Sequence, residues 1–321
     1  MTRHVWVVGA RGLLGRGLVE RLQARPGWSV AAVAPLPWGD PTAFTAAVAS
    51  GLDQLAAAVS TGGAGDGWAV IWAAGAAVTN SPRERLDAEL AQLDVALREL
   101  ERARERGLDP RAGAVFYASS AGGVYGGSEH PPFDENTTPR PLAPYGRFKL
   151  EAEELVRGFA ERSGVPVLIG RIANLYGPGQ SLDKMQGLIS HLARAQLTPQ
   201  PASIYVSLDT LRDYIYVLDC ADLVIDCVAR VASSPGPAVV TKIIASGQSV
   251  TIADLLGYFR LISKGKPHAM LGSNAASALQ AHDLRVRSIV WPDLDVRQLM
   301  PLPAGIHATI EDLKLGMQAA R

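Results

Sequence analysis

A serine pair and a tyrosine–lysine pair carry the chemistry that this sequence could perform. Ser119 and Ser120 follow a short apolar run, and Tyr145 stands four residues before Lys149. Residues four apart on a helix share a face, so the lysine ammonium would lower the pKa of the phenol toward neutrality. Such a phenol can carry a proton, while a serine hydroxyl orients the oxygen that gains or loses it.

A glycine-rich turn near the N terminus predicts a site for a dinucleotide. The three glycines of residues 9–15 follow the apolar run 5–8 and precede a helical pattern over 13–23. In that setting a tight turn lets backbone N–H groups approach a pyrophosphate at the start of a helix. Together with the serine and tyrosine–lysine pairs, the turn predicts a hydride-transfer site.

Five blocks of sequence, in the expected order, resemble the extended, nucleotide-sugar-modifying branch of the short-chain dehydrogenase/reductase superfamily. They cover residues 5 to about 250 and are the turn Gly9–Gly15, the serine segment Ser119–Gly126, the pair Tyr145 and Lys149, the loop Arg171–Gln180 and the segment Arg212–Asp219. The resemblance implies an α/β fold with a doubly wound, Rossmann-type parallel sheet. A smaller, discontinuous C-terminal lobe would bind the nucleotide sugar.

Apolar segments that alternate with amphipathic helices support this fold independently. The segments that predict strands are residues 5–8, 30–33, 69–73, 114–117 and 167–169, and we expect 214–217 and 239–244 to return to the same sheet. The dinucleotide-binding domain is then expected to cover 1–178 plus about 208–245. The lobe would cover 179–207 and 246–321.

The segment after the second predicted strand departs from the pattern of a NAD site. Such a site usually ends that strand with Asp or Glu, whereas residues 33–38 hold no carboxylate. A 2′-phosphate would meet no repulsion there, and Arg11 could pair with it, so NADP is slightly favoured over NAD. The usual second crossover and third strand are compressed into 35–40. Asp40 fits a helix N-cap, and in the family an acidic residue near here often touches the adenine.

The resemblance assigns roles residue by residue. Tyr145 is the acid/base, Lys149 stays protonated and bonds the nicotinamide ribose, and Ser120 or Ser119 orients the sugar oxygen. The expected cofactor contacts are Gly9, Arg11, Gly12, Leu13, Leu14, Gly15, Asp40, Ala73, Ala74, Gly75, Ala118, Tyr145, Lys149 and Ile172. Small residues at 73–75 equally fit close helix packing.

The expected substrate contacts are mostly cationic. Asn174 and Arg212 occupy positions that in the family touch the nucleotide diphosphate, and Arg285 or Arg287 could supply a second charge. For Arg212 the alternative is a surface pair with Asp213. Tyr125, like Tyr176, either lines the sugar pocket or packs in the core.

The resemblance leaves the reaction at sugar C4 open between 4-epimerisation and reduction of a 4-keto sugar. Dehydratases of this branch follow the hydroxyl residue with an acidic pair, whereas here Ala121, Gly122 and Gly123 follow, which argues against elimination. A catalytically idle, cofactor-bound redox sensor or scaffold is the alternative. The intact serines, tyrosine and lysine speak against it.

The composition limits the kinds of partner that the protein is expected to bind. The 321 residues have a formal net charge of zero, so no global basic field would attract nucleic acid. We expect no membrane span, since no apolar stretch approaches about 20 residues, and a cytoplasmic protein, since no signal peptide opens the sequence. Cys220 and Cys227 are expected as buried small side chains, not metal ligands. The resemblance implies a homodimer through helices 82–106 and 145–162.

Overall fold

The computed structural model describes residues 1–63, 65–180, 187–233, 238–265, 268–272 and 280–319. Its strands are β1 (Arg3–Val8), β2 (Trp28–Val30), β3 (Gly67–Trp72), β4 (Gly113–Ser120), β5 (Val167–Ile172), β6 (Asn174–Tyr176), β7 (Ala202–Ile204), β8 (Leu211–Tyr216), β9 (Val239–Ile244), β10 (Ser249–Thr251), β11 (Ala269–Leu271) and β12 (Asp283–Leu284). Six of them form a parallel sheet in the order β2-β1-β3-β4-β5-β9. This confirms the expected sheet.

Helices cover both faces of this sheet. They are α1 (Leu13–Ala24), α2 (Pro41–Ser60), α3 (Arg83–Glu101), α4 (Ala121–Tyr125), α5 (Pro144–Ser163), α6 (Leu188–Leu197), α7 (Val217–Ser233), α8 (Ile252–Ser263), α9 (Pro292–Asp295) and α10 (Leu302–Ala319). One apolar core joins the sheet to α2, α3 and α5, and a second joins it to α1 and α7. The fold is therefore doubly wound. Cys220 and Cys227 are buried in α7, as predicted.

The compressed second crossover is confirmed. After β2, residues 31–40 form no strand, and α2 leads straight to β3, which lies beside β1. β2 therefore stands at the edge of the sheet. It ends at Val30, earlier than predicted, although the Ala31 N–H still donates to the Val5 carbonyl at 2.8 Å. Residues 33–38 then cross the carboxyl end of the sheet as a loop.

One strand prediction was wrong. β9 joins the main sheet beside β5, but β8, which contains most of 214–217, pairs with β6, β10 and β12 in a separate small sheet. Tyr214 and Tyr216 pack there with Tyr176 in a third apolar core, which also takes residues from α6, α8 and α10. A short aromatic strand buries its side chains equally well on either sheet, so its pattern alone does not choose between them.

Helix α2 corrects the expectation that no stretch approaches the length of a membrane span. Its 20 residues meet the length and composition of such a span, which is weak evidence on its own. Phe44, Val48, Leu52 and Leu55 of this helix are buried in the core beside β1 and β3. An apolar core helix of a globular domain has the same features.

Candidate functional site

The glycine turn between β1 and α1 is packed against the end of β3. Gly9 has φ 87°, and a Cβ at this position would lie 2.6 Å from the Ala74 nitrogen. The Gly12 N–H donates to the Gly9 carbonyl at 2.9 Å, and no side chain caps the start of α1. The turn therefore needs glycine, and the first N–H groups of α1 are left for an anion such as a pyrophosphate.

A cavity of about 570 Å³ runs along the carboxyl ends of four neighbouring strands. In sheet order, its walls are Ala34 and Trp38 after β2, the turn 9–12 after β1, residues 73–76 after β3, and Tyr117 of β4 with Lys149 of α5. Its volume and its place at strand ends are typical of a cofactor site in an open α/β sheet.

Half of the expected cofactor residues line this cavity: Gly9, Arg11, Gly12, Ala73, Ala74, Gly75 and Lys149. Others take structural positions. Leu14, Gly15 and Ile172 are buried, and the Asp40 carboxylate caps α2 by accepting the N–H groups of Thr42 and Ala43 at 3.0 Å each. The N-cap prediction for Asp40 is thus confirmed.

Tyr145 of α5 and Ser120 of β4 lie side by side near Lys149, which lines one end of the cavity, and the Ser120 hydroxyl is close enough to the phenol to lower its pKa. Ser120 also caps α4, since its Oγ accepts the Gly123 N–H at 3.2 Å. Burial is the main cause that raises the pKa of Tyr145 to about 12, opposed by the Ser120 hydroxyl and assisted by the nearby Glu89 carboxylate. The phenol therefore keeps its proton at neutral pH, contrary to the expectation of a lowered pKa.

The position of Lys149 explains why the pKa of Tyr145 is not lowered. Among the described residues, no hydrogen bond joins the Lys149 ammonium to the phenol oxygen. Its Nζ donates to the Ala118 carbonyl at 2.9 Å and lies 3.3 Å from the Tyr117 hydroxyl, and it stands 5.7 Å from the centroid of the Tyr145 ring. Burial lowers the pKa of Lys149 to about 8, against the opposing charges of Glu89 and Glu153. Desolvation thus outweighs the attraction between the pair.

The two serines point in different directions, as neighbours on a strand do. The Ser119 hydroxyl donates to Glu153 Oε1 at 2.6 Å, inside a buried network in which Arg171 binds both oxygens of Glu153 at 3.0 and 2.7 Å. Ser119 is 4% exposed. The structure therefore brings Ser120, and not Ser119, to Tyr145.

Tyr125 lies in the core and not on a pocket wall. Its hydroxyl donates to the Asp134 carbonyl at 2.9 Å and accepts from Arg171 at 2.7 Å, and the residue has no exposed surface. Tyr176 is also buried. The packing alternative, and not substrate contact, therefore fits both tyrosines in this structure.

The expected substrate residues gather around β8. The Arg212 guanidinium is buried and donates to the carbonyls of Leu211 and His282 at 2.9 and 3.4 Å. It makes no ion pair with any described residue, and the proposed surface pair with Asp213 is wrong, because Asp213 is buried and its carboxylate accepts the Ser246 N–H. Asn174 is exposed beside it and donates to the Asp213 carbonyl at 2.8 Å.

Arg285 and Arg287 follow β12, which runs parallel to β8, so they come next to Arg212 along the same edge. Both are exposed. Their backbone groups pair with Phe133, and the Arg285 side chain pairs with Asp283 at 2.8 Å. Two exposed guanidinium groups, those of Arg285 and Arg287, therefore follow the strand that pairs with the buried Arg212.

Sequence reasoning missed the polar face of α3. Arg85, Glu89 and Gln92 recur at spacings of three and four, share one face of α3 and line the cavity. Their spacing was visible, but the sequence does not say which face of a helix turns toward a cavity. The buried Glu153–Arg171 pair was missed too, although the position of Glu153, four residues after Lys149, was a signal.

A family model described as the NAD dependent epimerase/dehydratase family matches residues 5–241. The chain belongs to this family. The predicted resemblance is thereby confirmed, and the glycine turn, both serines and the tyrosine–lysine pair all lie within the matched region.

Curated relatives match shorter stretches of the chain. A putative UDP-glucose 4-epimerase of Methanocaldococcus jannaschii is 36% identical over 107 residues, 33% of this chain and 35% of that protein. A dTDP-4-dehydro-6-deoxyglucose reductase of Escherichia coli is 36% identical over 105 residues, 33% of each. The chain thus aligns with about a third of the length of such relatives.

Solved structures share the whole fold. A UDP-glucose 4-epimerase of Thermus thermophilus complexed with NAD has a TM-score of 0.72 at 20% identity, covering 97% of this chain and 99% of that one. RMD from Pseudomonas aeruginosa, complexed with NADPH, has a TM-score of 0.76 at 22% identity, covering 98% and 100%. At this identity the likeness shows the fold, and the two cofactors differ between the neighbours.

Proposed function

We propose that the protein is an NAD(P)-dependent oxidoreductase that acts at C4 of a nucleotide sugar. The observation that carries this proposal is the cavity that leads from the glycine turn to Lys149, with Tyr145 and Ser120 next to Lys149. The turn fits the pyrophosphate of a dinucleotide. A side chain at Gly9 would clash with Ala74 after β3, so only glycine lets the backbone take the conformation in which its N–H groups approach the pyrophosphate. When bound, the nicotinamide would supply or accept the hydride.

Tyr145 and Ser120 bind the reacting oxygen of the sugar and transfer its proton. Ser120 Oγ positions that oxygen, and Tyr145 donates its proton to a ketone oxygen or takes one from a hydroxyl. Lys149 holds a positive charge at the same end and orients the ribose through its ammonium. Ser119 instead ties β4 to α5 through Glu153, which keeps Ser120 and Tyr145 in register.

The charge states favour reduction of a 4-keto sugar over 4-epimerisation. A phenol with its pKa near 12 is a proton donor at neutral pH, and a ketone that accepts a hydride needs such a donor. Epimerisation would begin with oxidation, for which the phenol must first lose its proton. The missing carboxylate at 33–38 and the exposed Arg11 favour NADP as the cofactor of this reductase.

The diphosphate of the nucleotide sugar is assigned to the guanidinium groups around β8. Arg212 is buried without a described carboxylate partner, which is costly unless an anion completes its surroundings. Arg285 and Arg287 add charge at the same edge, and Asn174 adds a donor. The sugar would then extend from these residues toward Ser120, because Leu284 of β12 lies beside Gly122.

The test measures bound nicotinamide and turnover together. An empty purified protein that binds NADPH and reduces a 4-keto nucleotide sugar would support the reductase, whereas stoichiometric bound NAD with interconversion of C4 epimers would show the epimerase. Cofactor binding without turnover of any nucleotide sugar in a broad panel would favour the idle sensor or scaffold.

We also propose a cytoplasmic homodimer that associates through α3 and α5. The two helices pack side by side, and their outer faces carry ion pairs within the chain, including Arg83–Glu151 and Arg162–Glu101. An interface formed by such charged faces should be sensitive to ionic strength. Light scattering at low and high salt tests this, and a monomer at both would refute it.

A further inference from the structure

Glu89 of α3 is the one carboxylate among the described residues that line the cavity. The cations there are Arg11, Arg85 and Lys149. Glu89 Oε1 accepts the Ala76 N–H at 2.9 Å, and Oε2 lies beside Gly75 at the cavity wall. A carboxylate has about four acceptor positions, so this backbone bond leaves capacity for a ligand.

The negative charge of Glu89 acts on the titratable groups at the end of the cavity that holds Lys149. It raises the pKa values of Tyr117, Tyr145 and Lys149, groups that reach this end from β4 and α5. The glycine turn and Arg11 lie toward the other end in sheet order. Glu89 bonds Ala76 after β3, and β3 lies between β1 with its glycine turn and β4, so Glu89 lies between the turn and the end that holds Lys149, away from the loop 33–38 after β2.

We infer that Glu89 binds a hydroxyl of the ribose in the hydride-carrying half of the dinucleotide, through the oxygen that Ala76 does not occupy. A carboxylate needs donors, and a phosphate offers none while repelling the charge. A ribose hydroxyl is the donor that a dinucleotide presents between its pyrophosphate and its reacting ring. This inference rests on the proposed function, because it requires a dinucleotide in the cavity.

Glu89→Gln isolates this contact. The glutamine must keep its oxygen toward the Ala76 N–H, so the group that faces the cavity changes from an acceptor to an NH₂ donor. We expect the variant to bind ADP-ribose, which has the second ribose, at least about 10-fold more weakly, as suits loss of a hydrogen bond to a charged group. Binding of ADP, which lacks that ribose, should change less than about 2-fold.

Glu84→Gln is the matched control, because Glu84 is an exposed residue of the same helix outside the cavity lining. It should leave both affinities unchanged. Equal loss of ADP and ADP-ribose in Glu89→Gln would mean that Glu89 only supports the loop at Ala76 and would overturn the inference. Unchanged or tighter ADP-ribose binding would overturn it as well.

The same titration separates this inference from the proposed function. Failure of the unchanged protein to bind ADP-ribose would overturn the dinucleotide site and the inference together. Normal binding by both the unchanged protein and Glu89→Gln would overturn the inference alone. Unchanged ADP binding by the variant also shows that it is folded.

Discussion

Replacing Arg11 by alanine should shift cofactor preference from NADP(H) toward NAD(H). Arg11 lies in the glycine turn at the cavity wall, is exposed, and makes no hydrogen bond or ion pair with any other described residue. No residue that the structure describes competes for its guanidinium, so a 2′-phosphate can bind it. A hydrogen bond to a charged group is worth roughly 1.5–3 kcal/mol, and exposure of Arg11 places it at the low end.

The expected change is thus about 1.5 kcal/mol, or roughly a 10-fold weaker binding of NADPH, with NADH binding nearly unchanged. Quenching of tryptophan fluorescence is a suitable assay, because Trp6, Trp38 and Trp72 line the cavity. Arg104→Ala, at an exposed arginine outside the cavity lining, is the control.

Ala34→Asp is the converse change. Ala34 lines the cavity although β2 ends at Val30, so a carboxylate there would meet a 2′-phosphate and repel it. An equal loss of affinity for NADPH and NADH in Arg11→Ala would mean that the arginine stabilises the turn and does not bind the 2′-phosphate. A preference for NADH in the unchanged protein would refute the NADP assignment and remove much of the case for a reductase.

Three further changes test the site and its support. Tyr145→Phe should keep fold and cofactor binding but lower turnover by roughly 10²–10⁴-fold, because the phenol is the proposed proton donor; near-normal turnover would remove it from that role. Ketone reduction should slow as pH rises through about 8, where Lys149 loses its proton, and Lys149→Ala should remove that dependence while weakening cofactor binding; a profile unaltered by the substitution would contradict both roles. Glu153→Ala should lower the free energy of unfolding by roughly 3–5 kcal/mol, because it leaves the Arg171 guanidinium buried and unpaired. At about 2.1 cal/mol/K per residue over 321 residues, this is a drop of about 4–7 °C in melting temperature, and calorimetry showing no drop would refute the estimate.

The main sheet was predictable because all of its strands except β2 are apolar runs of six to eight residues, and helices separate them along the chain. The compressed crossover after β2 was also visible, since residues 35–40 are too few for a further helix and strand. The placement of β8 was not, because three pairings of short strands decide it, and each depends on segments more than 20 residues away in sequence. Local patterns carry no information on such pairings.

The candidate site was predictable in its residue types but not in its electrostatics. Helical spacing placed Tyr145 and Lys149 on one face of α5, and the structure has them there. Spacing does not report burial, however, and burial determines the pKa shifts of both side chains. The choice between Ser119 and Ser120 depended likewise on Glu153, whose carboxylate takes the Ser119 hydroxyl.

Burial acts on the two groups in opposite senses, yet at pH 7 it leaves a proton on each. The Tyr145 phenol remains neutral because its anion is desolvated, and Lys149 remains charged because its lowered pKa is still about 8. Glu89 and Glu153 help to hold that charge. The arrangement thus combines a proton donor with one positive charge, both of which the proposed reductase would use where a ketone oxygen becomes an alkoxide. In the proposed reduction such an oxygen would gain negative charge during hydride addition, and the Lys149 charge would stabilise it before any proton moves.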